Sequence, residues 1–302
     1  MSEQRIHRAV SADGTLIAGR VHGQGPPLVF ISSALGDDRT SWAAVLPFLT
    51  QRHTCYAMST RGRGLSADHP DHSSDRLVED ITAFVDSIGA PVGLVGHSSA
   101  GALALDAAAR NENVAAVATY EPTLFEFASQ ELATSVGESA ERMVGLVEQD
   151  RMLDATMVFL REVAPATEGE LETMAAGGAF ELLATYLPVL LQEVTQSGLP
   201  GVSEPDILTK IAVPVLVLHG AQTHPFWVGV ARALQDRLKR PHVREVPGVA
   251  HFAPLVTPGP LAGEVTQFFE DSLRRAGTNN RHPGQRVTPG AFPASKSRAV
   301  PS

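Results

Sequence analysis

The sequence predicts an α/β fold, with a mostly parallel sheet, helices on both of its faces and a helical insertion that caps one edge. Short apolar runs rich in Val, Ile and Leu alternate with stretches of helical period, which is typical of parallel strands buried on both faces. One segment, between Pro122 and Pro205, carries helical patterns and no strand pattern. The 302 residues, 43% of them hydrophobic, suffice for such a core.

The order of the elements follows from the same patterns. A hairpin is predicted first, because Asp13-Gly14 separates two β-like runs, Arg5–Val10 and Thr15–Val21. Apolar runs predict six further strands: Pro27–Ser32, Thr54–Met58, Pro91–Gly96, Val114–Tyr120, Val213–His219 and Val243–Val246. Amphipathic patterns predict the helices that cover them: Ser41–Thr50, Ser74–Ile88, Ser99–Arg110, Trp227–Leu238 and Pro260–Arg275.

The predicted insertion and the end of the chain do not show this alternation of strands and helices. Helical patterns cover Ala128–Asp150, Met152–Val163 and Glu170–Gln196, so we assign residues 123–205 to a helical cap. Residues 1–122 and 206–276 are then the core. Residues 277–302 are rich in proline, carry basic residues without an acid and show no period, which predicts a disordered tail.

Composition excludes several classes of function. The 24 Lys and Arg against 33 Asp and Glu give a net charge of −9, which argues against nucleic acid or an anionic membrane as partner. A single cysteine, Cys55, excludes an internal disulfide and a multi-cysteine zinc site. The first residues lack an apolar stretch, so we expect a cytoplasmic protein that acts on a small molecule. Assembly into a homo-oligomer stays open.

The motif that carries chemistry is Gly96-His97-Ser98-Ser99-Ala100, between an apolar strand and an alanine-rich helix. Small residues on either side of a serine allow the strand and the helix to pass close together, which exposes the serine on a tight turn. We predict that Ser98 is a nucleophile. The Ser99 N–H, at the start of the helix, is free to bind an oxyanion. We interpret His97 as a packing residue.

A nucleophilic serine needs a base. His251 follows the last predicted strand in a short loop before the final helix, where it can turn back over the strand edge. Of the eleven histidines it has the best position for this role. The plainer alternative is a solvent-facing loop histidine.

These motifs together resemble the α/β-hydrolase superfamily. They include the serine turn, the Arg61-Gly62-Arg63-Gly64 turn after an early strand, and the late loop that ends in His251. The resemblance covers roughly Arg5 to Ala276 and is weakest in the cap. It implies a serine, acid, histidine triad in that chain order.

The acid departs from the commonest pattern of the superfamily. Many members carry an aspartate where this chain has Thr223. Other members carry the acid after the strand that follows the nucleophile helix, and Glu121 stands there. We therefore assign Glu121, with Glu204 and Asp206 as rivals.

The oxyanion loop also departs from the family, which usually has His-Gly where this chain has Ser32-Ser33-Ala34. Since the resemblance requires a backbone N–H there, we expect Ala34 to donate, or Ser33 if the loop is shifted by one residue.

A cap over a strand edge predicts an enclosed, mainly apolar pocket, although apolar stripes in a cap are more often its own packing. We expect the pocket to include Leu35, Leu124, Phe125, Phe127, Tyr186, Leu187, Phe226, Trp227 and Phe252.

The expected function is hydrolysis of a hydrophobic ester or lactone through an acyl-enzyme. A short similarity to fungal-toxin lactonases does not identify the substrate. The alternatives are a lyase, an acyltransferase or a cofactor-free perhydrolase, and then a non-catalytic binding protein. Serine at the nucleophile position argues against dehalogenase chemistry.

Other charged motifs receive a structural interpretation. We expect Arg61 and Arg63 to stabilise their turn rather than bind an anion. The cluster Asp68-His69-Pro70-Asp71-His72 lies on one loop without a distant third ligand, so a metal site is disfavoured. Neither a dinucleotide-binding glycine motif nor a P-loop is present, and no cofactor is expected.

Overall fold

A computed structural model describes residues 5–204 and 206–279, with the backbone alone for residues 273–279. One sheet contains the eight strands β1 (Ile6–Val10), β2 (Leu16–Gly23), β3 (Pro27–Ile31), β4 (Thr54–Met58), β5 (Val92–His97), β6 (Val114–Tyr120), β7 (Val215–Gly220) and β8 (Pro241–Val246). Their spatial order is β1-β2-β4-β3-β5-β6-β7-β8. Only β2 pairs antiparallel, with β1 and with β4, and all other pairs are parallel. The predicted fold class is confirmed.

The described residues form twelve α-helices, which are α1 (Leu46–Leu49), α2 (Ser74–Ile88), α3 (Ser99–Arg110), α4 (Gln130–Glu148), α5 (Met152–Val158), α6 (Glu168–Ala176), α7 (Ala179–Ala184), α8 (Leu187–Ser197), α9 (Ile207–Lys210), α10 (Pro225–Arg237), α11 (Ala253–Val256) and α12 (Pro258–Asn279). A 3₁₀ turn spans Phe125–Phe127, and a π-helical turn spans Phe159–Val163.

Helices cover both faces of the sheet, and strand β3 shows how. Its alternate residues Val29 and Ile31 belong to the core formed with α2 and α3. Leu28 and Phe30 belong to the opposite core, formed with α1 and α12. The period of two along a strand therefore feeds two separate hydrophobic cores.

Helices α4 to α8 lie between β6 and β7 in the chain and form a third hydrophobic cluster. That cluster also includes Leu35, Trp227 and Phe252, which come from loops and a helix at the strand ends. The cap-like helices are thus packed onto the sheet edge where Ser98 lies. The boundaries of a cap at 123 and 205 stay a prediction.

Two predicted helices are interrupted in this segment. The stretch Glu170–Gln196 is three helices, because Gly178 adopts a left-handed φ of 64° and Pro188 begins a new helix. The stretch Met152–Val163 is α-helical at first and π-helical at its end.

Two predicted helices also have other boundaries in the structure. Of the predicted helix Ser41–Thr50 only α1 is helical, and the residues that precede it form turns. The last helix, predicted over Pro260–Arg275, spans Pro258–Asn279. The remaining residues of the predicted tail, 280–302, lie outside the described residues. No helix in the described part of the chain is long and apolar enough to cross a membrane.

Candidate active site

Ser98 lies on a strained turn between β5 and α3. Its backbone has φ 57° and ψ −129°, in the region that L-residues rarely adopt. A Cβ at Gly96 would come within 2.4 Å of the Ala100 carbonyl oxygen, so glycine is required for the strand and helix to approach. The turn presents the Ser98 side chain at the carboxyl edge of the sheet, as the sequence predicts.

Glu121 occupies a second strained position, directly after β6, with φ 46°. Its carboxylate is fully buried. It accepts hydrogen bonds from the Gly220 N–H at 2.8 Å and from the Thr223 hydroxyl at 2.8 Å. Oε2 lies 2.7 Å from Nδ1 of His251, whose ring is also buried. A buried carboxylate in this position fixes the tautomer and the orientation of the imidazole.

The pairing of β5 with β6 brings the serine and the acid together. His97 is in register with Tyr120, and the Ser98 N–H donates to the Tyr120 carbonyl at 3.1 Å. Both Ser98 and His251 line one cavity at this edge. The three residues expected to form a triad therefore meet at one place.

The rival acids lie elsewhere. Glu204 forms an ion pair with Lys210 at the surface, 2.8 Å apart, and Asp206 is exposed at the start of α9. Thr223, at the position that the family resemblance associates with the commonest place of the acid, is a hydrogen-bond donor to Glu121. Residues 121 and 223 thus both contribute side chains to one site.

A threonine and a tryptophan complete the surroundings of the triad residues. The Ser98 and Thr123 hydroxyl oxygens are 3.1 Å apart, and the Trp227 Nε1–H donates to the Thr123 hydroxyl at 3.1 Å. The Trp227 ring stacks on His251, with the centroids 3.8 Å apart and the planes 14° apart. From the sequence, Trp227 is predicted only as a pocket residue, and Thr123, two residues after Glu121, is not predicted at all.

Burial dominates the proton affinities. It raises the pKa of Glu121 to about 6, against the opposing hydrogen bonds from Gly220 and Thr223. It lowers the pKa of His251 to about 3. A carboxyl group with a pKa of about 6 is still mostly ionised at pH 7, and the lowered pKa of His251 keeps its imidazole neutral, which is the protonation state that a general base requires.

The backbone of the loop after β3 is held from two sides. The Ser33 N–H donates to the Ser41 hydroxyl at 3.0 Å, so Ser33 is not available as an oxyanion donor. The Ala34 carbonyl accepts from Arg63 at 2.7 Å, and Arg63 pairs with Glu193 of α8 at 2.5 Å. This loop is thereby tied to the cap-like helices.

Two cavities meet at Ser98. The first, called the histidine cavity, is lined by His97, Ser98 and His251 and encloses about 620 Å³ of empty space including its opening. The second, called the cap cavity, is lined by Ser98, Ser99 and Thr123 among apolar cap residues and encloses about 530 Å³ on the same measure. Ala34 and Phe159 border both.

Four of the nine predicted pocket residues line these cavities. Leu35 and Phe252 line the histidine cavity, and Phe125 and Trp227 line the cap cavity. The other five pack elsewhere: Leu124 in the sheet core, Leu187 in the cap cluster, Phe127 under Arg237, Phe226 against Phe125, and Tyr186 hydrogen-bonded to Asp37. Leu124 and Leu187 are buried and the other three are partly buried, but neither their apolar character nor their place in the chain tells which of them adjoins a cavity.

A cap carboxylate that sequence analysis missed supports the histidine loop. Glu170, buried on α6, accepts the Phe252 N–H at 2.7 Å with one oxygen and the Thr167 N–H at 3.0 Å with the other. The second bond belongs to a capping box, whose Thr-x-x-Glu pattern is visible in the sequence. The bond to Phe252 joins α6 to the residue that follows His251.

The remaining charged motifs are structural. Arg61 is fully buried and bonds both Asp80 oxygens, at 2.7 and 2.6 Å, and also Asp13 at 2.9 Å. In the loop after it, His72 pairs with Asp68 at 2.8 Å. Among the described residues no group of three or more His, Cys, Asp or Glu side chains could hold a metal ion.

Comparison with known proteins agrees with this architecture. A 2-hydroxy-6-oxo-6-(2'-aminophenyl)hexa-2,4-dienoic acid hydrolase from Metapseudomonas resinovorans is 21% identical over 272 residues, which are 87% of this chain and 91% of that protein. The solved structure of an alpha/beta hydrolase from Sphaerobacter thermophilus DSM 20745 is 26% identical, with TM-score 0.72, over 87% of this chain and all of that one.

An esterase from Exiguobacterium antarcticum shares the fold with TM-score 0.72 at 16% identity, over 87% of this chain and 98% of that one. The model of the alpha/beta hydrolase family matches residues 21–264. The chain therefore belongs to the alpha/beta hydrolase family.

Proposed function

We propose that this protein is a serine hydrolase that cleaves a carboxylic ester or lactone of a hydrophobic small molecule. One observation carries the proposal: a buried His251 holds a carboxylate at 2.7 Å on one ring nitrogen and shares a cavity with the strained Ser98. A buried base with an orienting acid beside a serine that lines a cavity is the arrangement that makes a hydroxyl nucleophilic.

In the proposed reaction the Ser98 oxygen attacks the carbonyl carbon, and His251 takes its proton. Glu121 stabilises the imidazolium that forms. The N–H groups of Ser99 and Ala34 bind the oxyanion, since the Ser33 N–H is already used. His251 then gives the proton to the leaving oxygen, and water cleaves the acyl-enzyme by the same steps in reverse order.

The linings support a neutral substrate. Among the described residues that border the two cavities there is neither a lysine nor an arginine. A substrate that carries a carboxylate would therefore lack a cationic partner there. The relative from Metapseudomonas resinovorans, by contrast, is named as a hydrolase of a carboxylic acid. Most of the lining side chains are apolar, which favours a hydrophobic ester or lactone.

A fluorophosphonate probe tests the proposed chemistry. We expect covalent labelling of the wild-type protein at Ser98, located by mass mapping, and turnover in a panel of neutral esters and lactones. The Ser98→Ala variant should lose labelling and at least about 10⁴-fold in kcat, because triad members act as one unit. Wild-type turnover in Ser98→Ala would disprove the proposal. So would labelling confined to another residue.

A further inference from the structure

Arg63, in the turn after β4, uses every hydrogen-bond donor of its side chain. A guanidinium group carries five N–H bonds. Nε–H and one Nη2–H donate to the Ala34 carbonyl, at 3.2 and 2.7 Å. The other Nη2–H and one Nη1–H donate to the two carboxylate oxygens of Glu193, at 3.1 and 2.5 Å. The last Nη1–H donates to the Thr60 hydroxyl at 3.0 Å. The side chain is only 1% exposed, so these three residues hold the guanidinium on all sides.

Both peptide units that meet at Ala34 are held by their carbonyl groups. The Ser33 carbonyl accepts the Gly36 N–H at 3.1 Å, and the Ala34 carbonyl accepts from Arg63. In a trans peptide the N–H points away from the carbonyl of its own unit, so the held Ser33 carbonyl sets the direction of the Ala34 N–H. Ala34 borders both cavities at Ser98. The proposed oxyanion donor therefore belongs to a loop that can turn only by breaking the bonds to Arg63.

Glu193 supplies the charge that holds Arg63. It lies on α8, 130 residues from Arg63 in the chain, and its side chain is 16% exposed. A buried guanidinium without a counter-charge is costly, so the packing of α8 against the loop stabilises Arg63 in this position. The paired N–H···O bonds to the carboxylate also fix the plane of the guanidinium. Its neighbouring edge, formed by Nε and Nη2, is thereby aimed at the Ala34 carbonyl.

Helix α8 contacts the rest of the protein at two places that can be varied separately. Beside Arg63, the hydroxyl of Tyr186, just before α8, donates to Asp37 at 2.8 Å and accepts the Gly64 N–H at 3.3 Å. Further along the helix, the exposed Gln196 accepts the His72 N–H at 2.6 Å. The second contact docks α8 without involving Arg63 or Ala34.

From these contacts, and resting on the proposed function, we propose that Arg63 is a positioning residue for the oxyanion loop. Its pair with Glu193 makes that positioning depend on the cap-like helices. In the tetrahedral intermediate the Ala34 N–H must lie within hydrogen-bond distance of the oxyanion, and a small displacement weakens this bond. The effect of Arg63 therefore falls on the transition state and not on the binding of the substrate.

The first test separates kcat from KM. Arg63→Met keeps an unbranched side chain and removes all five donors. Its kcat on phenyl butyrate, or on the fastest ester of the panel, should fall about 10- to 100-fold with KM within about twofold of the wild type. The rate is expressed per Ser98 titrated to completion with a fluorophosphonate. A purely structural role would lower the number of titrated sites and leave kcat per site unchanged. A raised KM with unchanged kcat would also overturn the proposal.

A transition-state analogue provides a second measurement. When hexyl trifluoromethyl ketone binds, the Ser98 oxygen bonds to the ketone carbon, the serine proton passes to His251, and the ketone oxygen becomes the oxyanion. Its Ki should rise in Arg63→Met by about the same factor as kcat falls, because both depend on the Ala34 N–H. An unchanged Ki beside a lowered kcat would assign the loss to another step and overturn the proposal.

Two substitutions on α8 form a matched pair. Glu193→Gln removes the charge and should lower kcat per titrated site about 3- to 10-fold, but it should add nothing in the Arg63→Met background, since Glu193 acts through Arg63. Gln196→Ala removes the other contact and should leave kcat and Ki within about twofold. Equal losses in the two single variants would show that any loosening of α8 lowers the rate, which contradicts the proposal. If Arg63→Met does not fold, this pair decides.

The outcomes separate this proposal from the proposed function. If the wild type is labelled at Ser98 and cleaves neutral esters, but Arg63→Met and Glu193→Gln keep its kcat per titrated site, the positioning role is wrong and the serine hydrolase stands. If the wild type shows neither labelling nor ester cleavage, the proposed function fails, and the positioning role fails with it.

Discussion

The Glu121 carboxylate lies between two side chains of the site, those of His251 and Thr223. Its Oε2 contacts both His251 Nδ1, at 2.7 Å, and the Thr223 hydroxyl, at 2.8 Å. Glu121→Gln removes the charge that stabilises the imidazolium, so kcat should fall about 10²- to 10⁴-fold with the fold retained. Asp206→Asn, at an exposed residue, is the matched control and should leave kcat unchanged.

The same contacts predict that the acid can be moved. In the double variant Glu121→Ala, Thr223→Asp, the carboxylate introduced at position 223 should lie beside the vacated site. Its kcat should then be at least about tenfold higher than that of Glu121→Ala alone. The measurement is kcat for the single and double variants. A double variant no faster than Glu121→Ala would show that position 223 cannot reach His251.

The hydrogen bond that Trp227 donates to Thr123 and the hydrogen bond between the Thr123 and Ser98 hydroxyls form one short chain. Because the Thr123 oxygen accepts from Trp227, its own proton can be donated to Ser98, which leaves the serine proton for His251. Thr123→Val and Trp227→Phe should each lower kcat about 3- to 10-fold, and together no more than either alone. A rise in kcat in Thr123→Val would mean that this bond holds Ser98 away from the base.

The pKa shifts predict the acid limb of the pH profile. Because burial raises the pKa of Glu121 to about 6, the carboxylate takes up a proton as the pH falls through 6, and kcat/KM should fall with it. The apparent value belongs to the coupled Glu121–His251 pair. In Glu121→Gln the limb should move to lower pH, since burial lowers the pKa of the remaining imidazole. An unchanged limb in that variant would assign the titration to another group.

At the scale of elements, helix α6 supports the loop that carries His251. Glu170→Ala leaves the buried Phe252 N–H without its partner at 2.7 Å, which should destabilise the protein by about 1–3 kcal/mol and lower kcat. Glu172→Ala, on the exposed face of the same helix, is the matched control and should change neither. Melting temperature and kcat measure the two effects. Equal effects of both substitutions would contradict a specific role for Glu170.

At the scale of the whole molecule, Arg61 joins the first hairpin, the turn after β4 and helix α2 through Asp13 and Asp80. Arg61→Met leaves Asp80 buried and unpaired, so the free energy of unfolding should fall by about 3–5 kcal/mol in urea. Arg151→Met removes an exposed pair with Asp154 and should cost less than about 1 kcal/mol. Similar losses in both variants would show that burial does not control the energy of these pairs.

Sequence reasoning reached the fold because strand and helix periods reflect which faces are buried, and the alternation along β3 is a direct case. The positions of Ser98, Glu121 and His251 at one sheet edge could also be predicted, since each follows a strand whose end is marked by small residues or a single carboxylate. Their catalytic roles stay a prediction. Thr123 was not predicted, and five of the nine predicted pocket residues border neither cavity. Which side chain borders a cavity depends on how loops and cap helices pack across long sequence separations. Local sequence patterns do not encode that packing.

The separation along the chain between Glu121 and His251, 130 residues, bears on how the molecule becomes active during synthesis. Ser98 and Glu121 directly follow two neighbouring strands and are made early, whereas His251 is made after all eight strands. A nascent chain that has folded only through β6 holds a nucleophile and an acid but lacks a base. Long-range contacts form slowly, so catalysis should arise last in refolding, after most secondary structure has returned.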